Sequence, residues 1–431
     1  MIDLYPHNQR AYAALCTMLD ERGKACLVQP CGTGKAMIGF HYAEDHPREH
    51  VLWLSPSDYI FSEQNANLKR EGGVAAGNVE QMTYAAAMAR AKRGERMPHA
   101  DAIILDEFHH CGASEWSKGV AAVLEQNPHA KVIGLSATSI RYTDNERDMA
   151  DELFDGNVAS SMSLDEAWLL GILPKPVYVT ALYEAPKELE DMRVRIDDVR
   201  DEKKHGKLMR KYEKLRRALQ EADGIDEVFA KHLGKRDAKI IVFCPNQGKL
   251  EELALLRRDW FKRVNPEIHA YKTFMANPMG EKDYNAFKED GSGALKVLYC
   301  INQLNEGVHI DGIDAVVMVR PTVSPVIYTQ QLGRALECGS GKVPLVFDLV
   351  NNIGSVGSYA INRERLGNVY EELVEAGEKP PYTPDDFKIY DEIIDPRTLM
   401  EELKNALSPY MTFDECVEFM EEEAALRGGK L

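Results

Sequence analysis

Short, continuous runs of Val, Ile and Leu recur along the chain, each bounded by turn residues or followed by an amphipathic stretch. They read KACLVQP, HVLWLSPS, DAIILDE and KVIGLSAT, then KIIVFCPN, LKVLYCIN, DAVVMVRP and VPLVFDLV. A run that is apolar at every position, not at every second one, belongs to a strand covered on both faces, and such strands alternating with helices build parallel sheets. The pattern predicts α/β architecture with two sheets, because the runs fall in two groups, about residues 25–140 and 177–350. Between the groups, roughly from Pro186 to Arg236, apolar residues stand at helical spacing (Leu208, Tyr212, Leu215, Leu219), punctuated by Gly206 and Gly224. That stretch predicts a helical arm inserted after the first strand of the second sheet. After about Asn352 the sheet pattern stops and helical segments follow, one of them starting at Asp395 and Pro396. The expected domains are 1–172, 173–355 with the arm at about 186–236, and a helical C-terminal extension at 356–431.

Length agrees with this division, since 431 residues make roughly two or three domains. The first residues, MIDLYPHNQR, carry no basic segment followed by an apolar run, and no stretch approaches the roughly 20 apolar residues of a membrane span. A cytoplasmic protein with no membrane contact is expected. Eight cysteines form no CxxC pair, and Cys26, Cys244 and Cys300 sit in apolar runs, which is how reduced, buried cysteines look. The net charge of −17 argues against a protein that holds nucleic acid by bulk electrostatics, so any such contact must be a local groove. The most basic segment, KKHGKLMRKYEKLRR, lies in the arm and reads first as a solvated helix face, with a contact for nucleic acid or a partner as the second reading.

The stretch VQPCGTGKAMIG follows the first apolar run and leads into a helical pattern. Gly32, Thr33 and Gly34 permit a tight turn with inward-facing N–H groups, and the positive amino end of the following helix suits an anionic phosphate. Lys35 is placed to reach the β- and γ-phosphates of a nucleotide. The next position usually carries a Ser or Thr hydroxyl that coordinates magnesium, and here it is Ala36. Downstream, DAIILDEFHH delivers Asp106 and Glu107 to a strand end, an arrangement suited to a magnesium ion held by the first and a water oriented by the second. Such an acidic pair also serves as a helix cap when it stands alone.

In this order the motifs resemble those of superfamily 2 helicases, of the group with a DExH-type box, here Asp106-Glu107-Phe108-His109. KVIGLSAT, with Ser136 and Thr138, is similar to the family's third motif, which together with His109 links nucleotide state to the nucleic-acid groove. FCPN, with Asn246 as an implied nucleic-acid contact, resembles motif four, and LNEGVHI, with Gly307 as an implied nucleotide contact, resembles motif five. QQLGRAL, with Gln330 and Arg334, resembles motif six. The resemblance spans residues 4 to about 350 and implies two tandem RecA-like domains clamping ATP and magnesium, with nucleic acid across both. It implies that Gln330 and Arg334 complete the site from the second domain, Arg334 as an arginine finger. LYPHNQRAY resembles the segment that reads adenine, with Gln9 as the reader and Asn8 as the register alternative. Ser55, Ser57, Thr83 and Tyr84 stand where the family's groove motifs contact the sugar-phosphate backbone.

Three positions depart from the commonest patterns: Ala36, Glu337 for a second motif-six arginine, and His309 for an aspartate in motif five. The NEGVHI and QQLGRAL forms resemble those of a bacterial subgroup. The expected function is an ATP-dependent helicase or translocase acting on nucleic acid, DNA before RNA. The alternatives are a nucleotide-gated binding module with little hydrolysis, favoured by Ala36, and the motor subunit of a restriction or defence complex. A protein partner would dock on the arm or the acidic tail.

Overall fold

A computed structural model describes residues 2–70, 72–74, 76–112, 116–141, 147–181, 192–221, 224–274, 279–301, 312–319, 343–349, 363–391, 403, 406 and 407. The first sheet contains β1 (Lys24–Val28), β2 (Val51–Ser55), β3 (Val79–Thr83), β4 (Ala102–Asp106), β5 (Lys131–Ser136) and β8 (Val158–Ser161). Its order is β3-β2-β4-β5-β1-β8, with every pair parallel. Two short strands, β6 (Ile140–Arg141) and β7 (Arg147–Asp148), form a separate antiparallel ladder.

The second sheet contains β9 (Val177–Thr180), β10 (Lys239–Phe243), β11 (Ile268–Thr273), β12 (Leu295–Cys300), β13 (Ala315–Met318), β14 (Leu345–Asp348) and β15 (Ile389–Asp391). The order is β11-β12-β10-β13-β14-β9-β15, again parallel throughout. Two parallel sheets with helical crossovers give the expected tandem RecA-like architecture. One expectation is corrected: the sheet does not end before residue 352, because β15 pairs with β9 in the register Ile389 to Tyr178. With three residues at a sheet edge, β15 lacks the apolar run that marks an interior strand.

Each interior strand sends alternate side chains to two cores. Val51, Trp53 and Ile104 face one side with Leu15, Ile38 and Phe40, whereas Leu52, Leu54 and Leu105 face the other with Tyr84, Phe108 and Phe154. In the second sheet Ile241 and Phe243 pack with Trp168 and Tyr178, and Ile240 and Val242 with Phe229 and Phe261. Burial of one such side chain stabilises by about 1.5–3 kcal/mol, so each face gains and the uninterrupted apolar runs are explained.

The helices that position the nucleotide loop are α1 (Pro6–Arg22) and α2 (Lys35–Asp45), and α3 (Asp58–Arg70) and α4 (Tyr84–Lys92) follow β2 and β3. Pro6 opens α1, where its missing N–H is no loss, and Gly23 closes it with φ of 74°. In the arm, the helix Glu202–Glu221 buries Leu208 and Leu215 in a small core with Met192, Ile196, Leu403 and Leu407. The helix Ile225–His232 instead joins the second sheet's core through Val228 and Phe229. The helix start expected at Asp395 and Pro396 lies outside the described residues.

Gly134 interrupts the β-branched character of β5 for a packing reason. A Cβ there would stand 2.4 Å from Phe154 Cζ and 2.7 Å from Cys26 Cβ. Gly134→Ala is therefore expected to lower stability by roughly 1–3 kcal/mol in urea unfolding, with partial recovery on adding Phe154→Leu.

Candidate nucleotide site

In the strand order β4-β5-β1 the carboxyl ends of three neighbouring parallel strands lie side by side, so the segments after them converge. The segment after β1 is the phosphate loop. Gly32 and Gly34 take φ of 86° and 83°, the left-handed region that favours glycine. At Gly34 there is also no room, since a Cβ would lie 3.1 Å from Asn8 Nδ2. Thr33 is fully buried and its hydroxyl donates to the Pro30 carbonyl at 2.9 Å. From α1, Asn8 Nδ2 donates to the Thr33 carbonyl at 2.8 Å, and His7 Nε2 lies 2.9 Å from the same oxygen. A carbonyl only accepts, so His7 carries its proton on Nε2. Burial lowers the pKa of His7, which keeps the ring neutral against the loop.

Lys35 is the first residue of α2, and its ammonium lies 3.6 Å from Glu107 Oε1, both side chains being largely buried. Ala36 follows, half-buried, with no oxygen to offer. Asp106 ends β4 with 2% exposure, and its Oδ2 accepts from Gln64 Nε2 at 2.6 Å and from Ser55 Oγ at 3.5 Å. Burial first, and the neighbouring Glu107 carboxylate second, push the Asp106 carboxyl well above the ordinary carboxylate range, while Lys35 and Gln64 pull it down.

Glu107 adopts φ of 50° and ψ of 48°, a strained left-handed conformation for a side chain with a Cβ. That turn sets its carboxylate between Lys35 and the third motif. Ser136 Oγ lies 3.4 Å from Glu107 Oε2 and 2.7 Å from His109 Nδ1, and it accepts from the Thr138 N–H at 3.3 Å. The expected coupling residues His109, Ser136 and Thr138 are thus joined to Glu107 in one hydrogen-bonded group.

The donor set suits a hard cation carried by a nucleotide, because Asp106 offers carboxylate oxygen in a buried place where its negative charge lacks full compensation. Among the described residues no cluster of three or more His, Cys, Asp or Glu can hold a metal by protein ligands alone. Magnesium usually binds through one or two carboxylates plus substrate phosphates, which one such aspartate satisfies.

Several expected contacts stand elsewhere. Ser55 is fully buried with its hydroxyl on Asp106, and Tyr84 is fully buried with its hydroxyl donating to the Asp106 carbonyl at 2.8 Å and its ring stacked on Trp116. Neither presents a surface to a strand, so their assignment as groove contacts is corrected. Both brace the end of β4. Thr83 caps α4 by accepting from the Ala86 N–H, Ser57 accepts from the Ile60 N–H, and Asn246 caps the helix Gln247–Phe261 through the Lys249 N–H. Gln9 is exposed and donates to the Leu4 carbonyl at 2.8 Å, so it is Asn8, the register alternative, that touches the phosphate loop. Gly307, Gln330 and Arg334, with His309 and Glu337, lie outside the described residues. Gln64 was not anticipated, because a single glutamine on α3 carries no spacing signal and its role exists only through its contact with Asp106.

The fold and the site define a P-loop protein of tandem RecA-like domains. The model of the family "Type III restriction enzyme, res subunit" matches residues 1–141, and that of "Helicase conserved C-terminal domain" matches residues 219–339. Matched in tandem, the two support a helicase of superfamily 2. No curated protein sequence matches it.

Among solved structures, the ATP-dependent Type ISP restriction-modification enzyme LlaBIII bound to DNA is similar at 17% identity with a TM-score of 0.56, over 95% of this chain and 33% of that one. The Escherichia coli DEAH/RHA helicase HrpB matches at 16% identity and a TM-score of 0.51, over 92% and 49%. The Mycobacterium smegmatis helicase Lhr bound to ssDNA and AMP-PNP matches at 14% and 0.51, over 96% and 53%. This chain spans a third to about half the length of these proteins, and at such identities the likeness shows the fold.

The position of Tyr84 is checked by Tyr84→Phe. Loss of the bond to the buried Asp106 carbonyl is expected to cost about 0.5–1.5 kcal/mol of stability in thermal unfolding, with no loss of nucleic-acid affinity. A weaker affinity at unchanged stability would return Tyr84 to the groove.

Proposed function

We propose that the chain is an ATP-driven motor that moves along nucleic acid. The observation that carries this reading is the convergence of Lys35, Asp106 and Glu107 at neighbouring strand ends, with Glu107 joined to His109 and Ser136. In this reading Gly32, Thr33, Gly34 and Lys35 hold the phosphates, and Asp106 holds the magnesium that ATP carries, which neutralises charge on the phosphates. Glu107 orients the attacking water, and its carboxylate needs release from Lys35 to do so, which phosphate oxygens provide by taking the ammonium. His109 and Ser136 pass the state of Glu107 to Thr138 and the segment beyond β5. Gln330 and Arg334 complete the site from the second domain, and Gly307, by the motif-five resemblance, contacts the nucleotide. Gln9, which is exposed, keeps the role of adenine reader, and the fully buried Asn8 supports the phosphate loop.

Three features support DNA before RNA as the track: the restriction-enzyme family matched by residues 1–141, the DNA-bound restriction enzyme, and the ssDNA-bound helicase among the structural relatives. The same family match favours a second role, as the motor subunit of a restriction assembly. Ser57, Thr83 and Asn246 remain on this reading as contacts by which helix amino ends meet phosphate.

The deciding experiment is steady-state ATP hydrolysis with magnesium, with and without single-stranded DNA, duplex DNA and RNA. Stimulation by at least one of them is expected, and Glu107→Gln is expected to lower the rate by about 10²–10⁴. Ala36→Ser restores one oxygen to the cation's surroundings, worth about tenfold to a hundredfold if that interaction is made. A parent protein silent with every nucleic acid, but active as Ala36→Ser, would replace the motor by a nucleotide-gated clamp.

Asp106 adds a pH signature. Its raised pKa means that a proton competes with the cation, and only the ionised carboxylate binds magnesium. Magnesium-dependent ATP binding is therefore expected to strengthen as pH rises through neutrality and to weaken as it falls. Asp106→Asn should abolish that dependence in calorimetric titrations; an unchanged pH profile would remove Asp106 from the cation site.

A further inference from the structure

We infer that the arm helix Glu202–Glu221 is a docking surface for the phosphate backbone of a nucleic-acid duplex. This rests on the motor reading and adds to it a second contact, outside the strand groove. The helix carries eight Lys or Arg against three Glu, in a chain whose net charge is −17. Four of these eight form a stripe. Lys203, Lys207, Arg210 and Lys214 are spaced by four, three and four residues, which sets them on one face over three turns, about 16 Å from end to end. All four are exposed, whereas Leu208 and Leu215 point the other way into the core shared with Leu403 and Leu407.

Among the described residues none of the four side chains makes an ion pair or hydrogen bond. Acidic neighbours are at hand, and elsewhere on the arm they are used: Arg193 pairs with Asp197 at 3.1 Å, and His205 lies 3.6 Å from Asp197. Four cations held in a line on a helix anchored from behind, with no partner among the described residues, repel one another unless an anion faces them. A continuous polyanion of matching length removes that repulsion and releases counterions as it binds.

The chemistry of the stripe selects a duplex over a single strand. Single-strand sites combine a basic groove with aromatic side chains on which bases stack. The arm helix has one aromatic residue, Tyr212, which is half-buried on the apolar side with Arg193 over its ring at 5.8 Å from the centroid. A straight row of cations without a stacking surface fits the regular phosphates of a duplex and carries no sequence preference.

The test uses the full chain, with Lys203→Gln, Lys207→Gln, Arg210→Gln and Lys214→Gln combined. Its partner keeps the charge, with the three lysines changed to Arg and Arg210→Lys. Fluorescence anisotropy measures binding to a labelled 20-base-pair duplex and to one of its strands from about 50 to 200 mM salt. Thermal midpoints of both variants establish that they fold. The neutral variant is expected to bind the duplex roughly tenfold or more weakly at 100 mM salt. Its log–log salt slope should be shallower by up to about 4, with the single strand less affected. The charge-preserving variant should match the parent.

Equal duplex affinity and slope in parent and neutral variant would overturn the arm contact while leaving the motor reading to the ATPase assay. Equal losses on duplex and single strand would overturn the choice of duplex. A parent that binds neither nucleic acid would overturn both this inference and the reading on which it rests.

Discussion

The Lys35 ammonium lies 3.6 Å from the Glu107 carboxylate at a place almost closed to solvent, and the rest of the first domain is arranged around that pair. Burying two charges is expensive, and their mutual attraction offsets the cost only where further hydrogen bonds complete the site. Here a second carboxylate, Asp106, adjoins the pair, so two negative charges meet one positive charge in a low-dielectric pocket. The surrounding polar groups follow from this imbalance. Gln64 and Ser55 supply donors to Asp106, Ser136 supplies one to Glu107, and Tyr84 secures the carbonyl behind them. A bound cation with a nucleotide would balance the charges, which makes the imbalance itself an argument for what the pocket takes.

The phosphate loop depends on the same pair from its other side. Lys35 cannot face Glu107 unless α2 begins at that residue, and α2 begins there because Gly34 turns through a left-handed conformation beside Asn8. Asn8 and His7 in turn hold the Thr33 carbonyl, so α1 fixes the loop rather than covering it. Strain is concentrated at Glu107, which among the described site residues other than glycine is the one that adopts positive φ. A backbone held there against its preference has a lower barrier to leaving it, which suits a carboxylate that exchanges one partner for another.

Legibility followed burial. Eight of the nine interior strands show themselves as quoted apolar runs because helices cover both their faces, and β9 is marked only by the start of the second group at residue 177. Four strands without such a run, β3, β8, β11 and β15, are the edges of the two large sheets, and the two-residue strands β6 and β7 are too short to form one. Side chains at the edges are only partly covered, as in VEQMT and IHAYKT, so no run forms. In the site, the convergence of Gly32, Gly34, Lys35, Asp106 and Glu107 was legible because local chain geometry fixes it, while their roles belong to the proposed function. The hydroxyls were not. Ser55 and Tyr84 follow polar-looking motifs, yet their direction is set by strand register and by the depth of α4, which no short motif records. Gln64 is invisible for the same reason, being joined to Asp106 across 42 positions of sequence.

Ala36 gains a different meaning in this setting. In a loop with a hydroxyl after its lysine, that oxygen helps to fix the cation, and the strand-end aspartate has a partner in holding it. Here no such oxygen is offered, and the aspartate is instead immobilised from behind, with Gln64 and Ser55 both on the same oxygen, Oδ2. The short bond from Gln64 orients the carboxyl group through that one oxygen. Preorganisation of one ligand lowers the entropy lost on binding, and a site with fewer ligands gains more from it. On the proposed reading, the glutamine on α3 would offset part of what the loop lacks at Ala36 by holding the one carboxylate that would meet the cation.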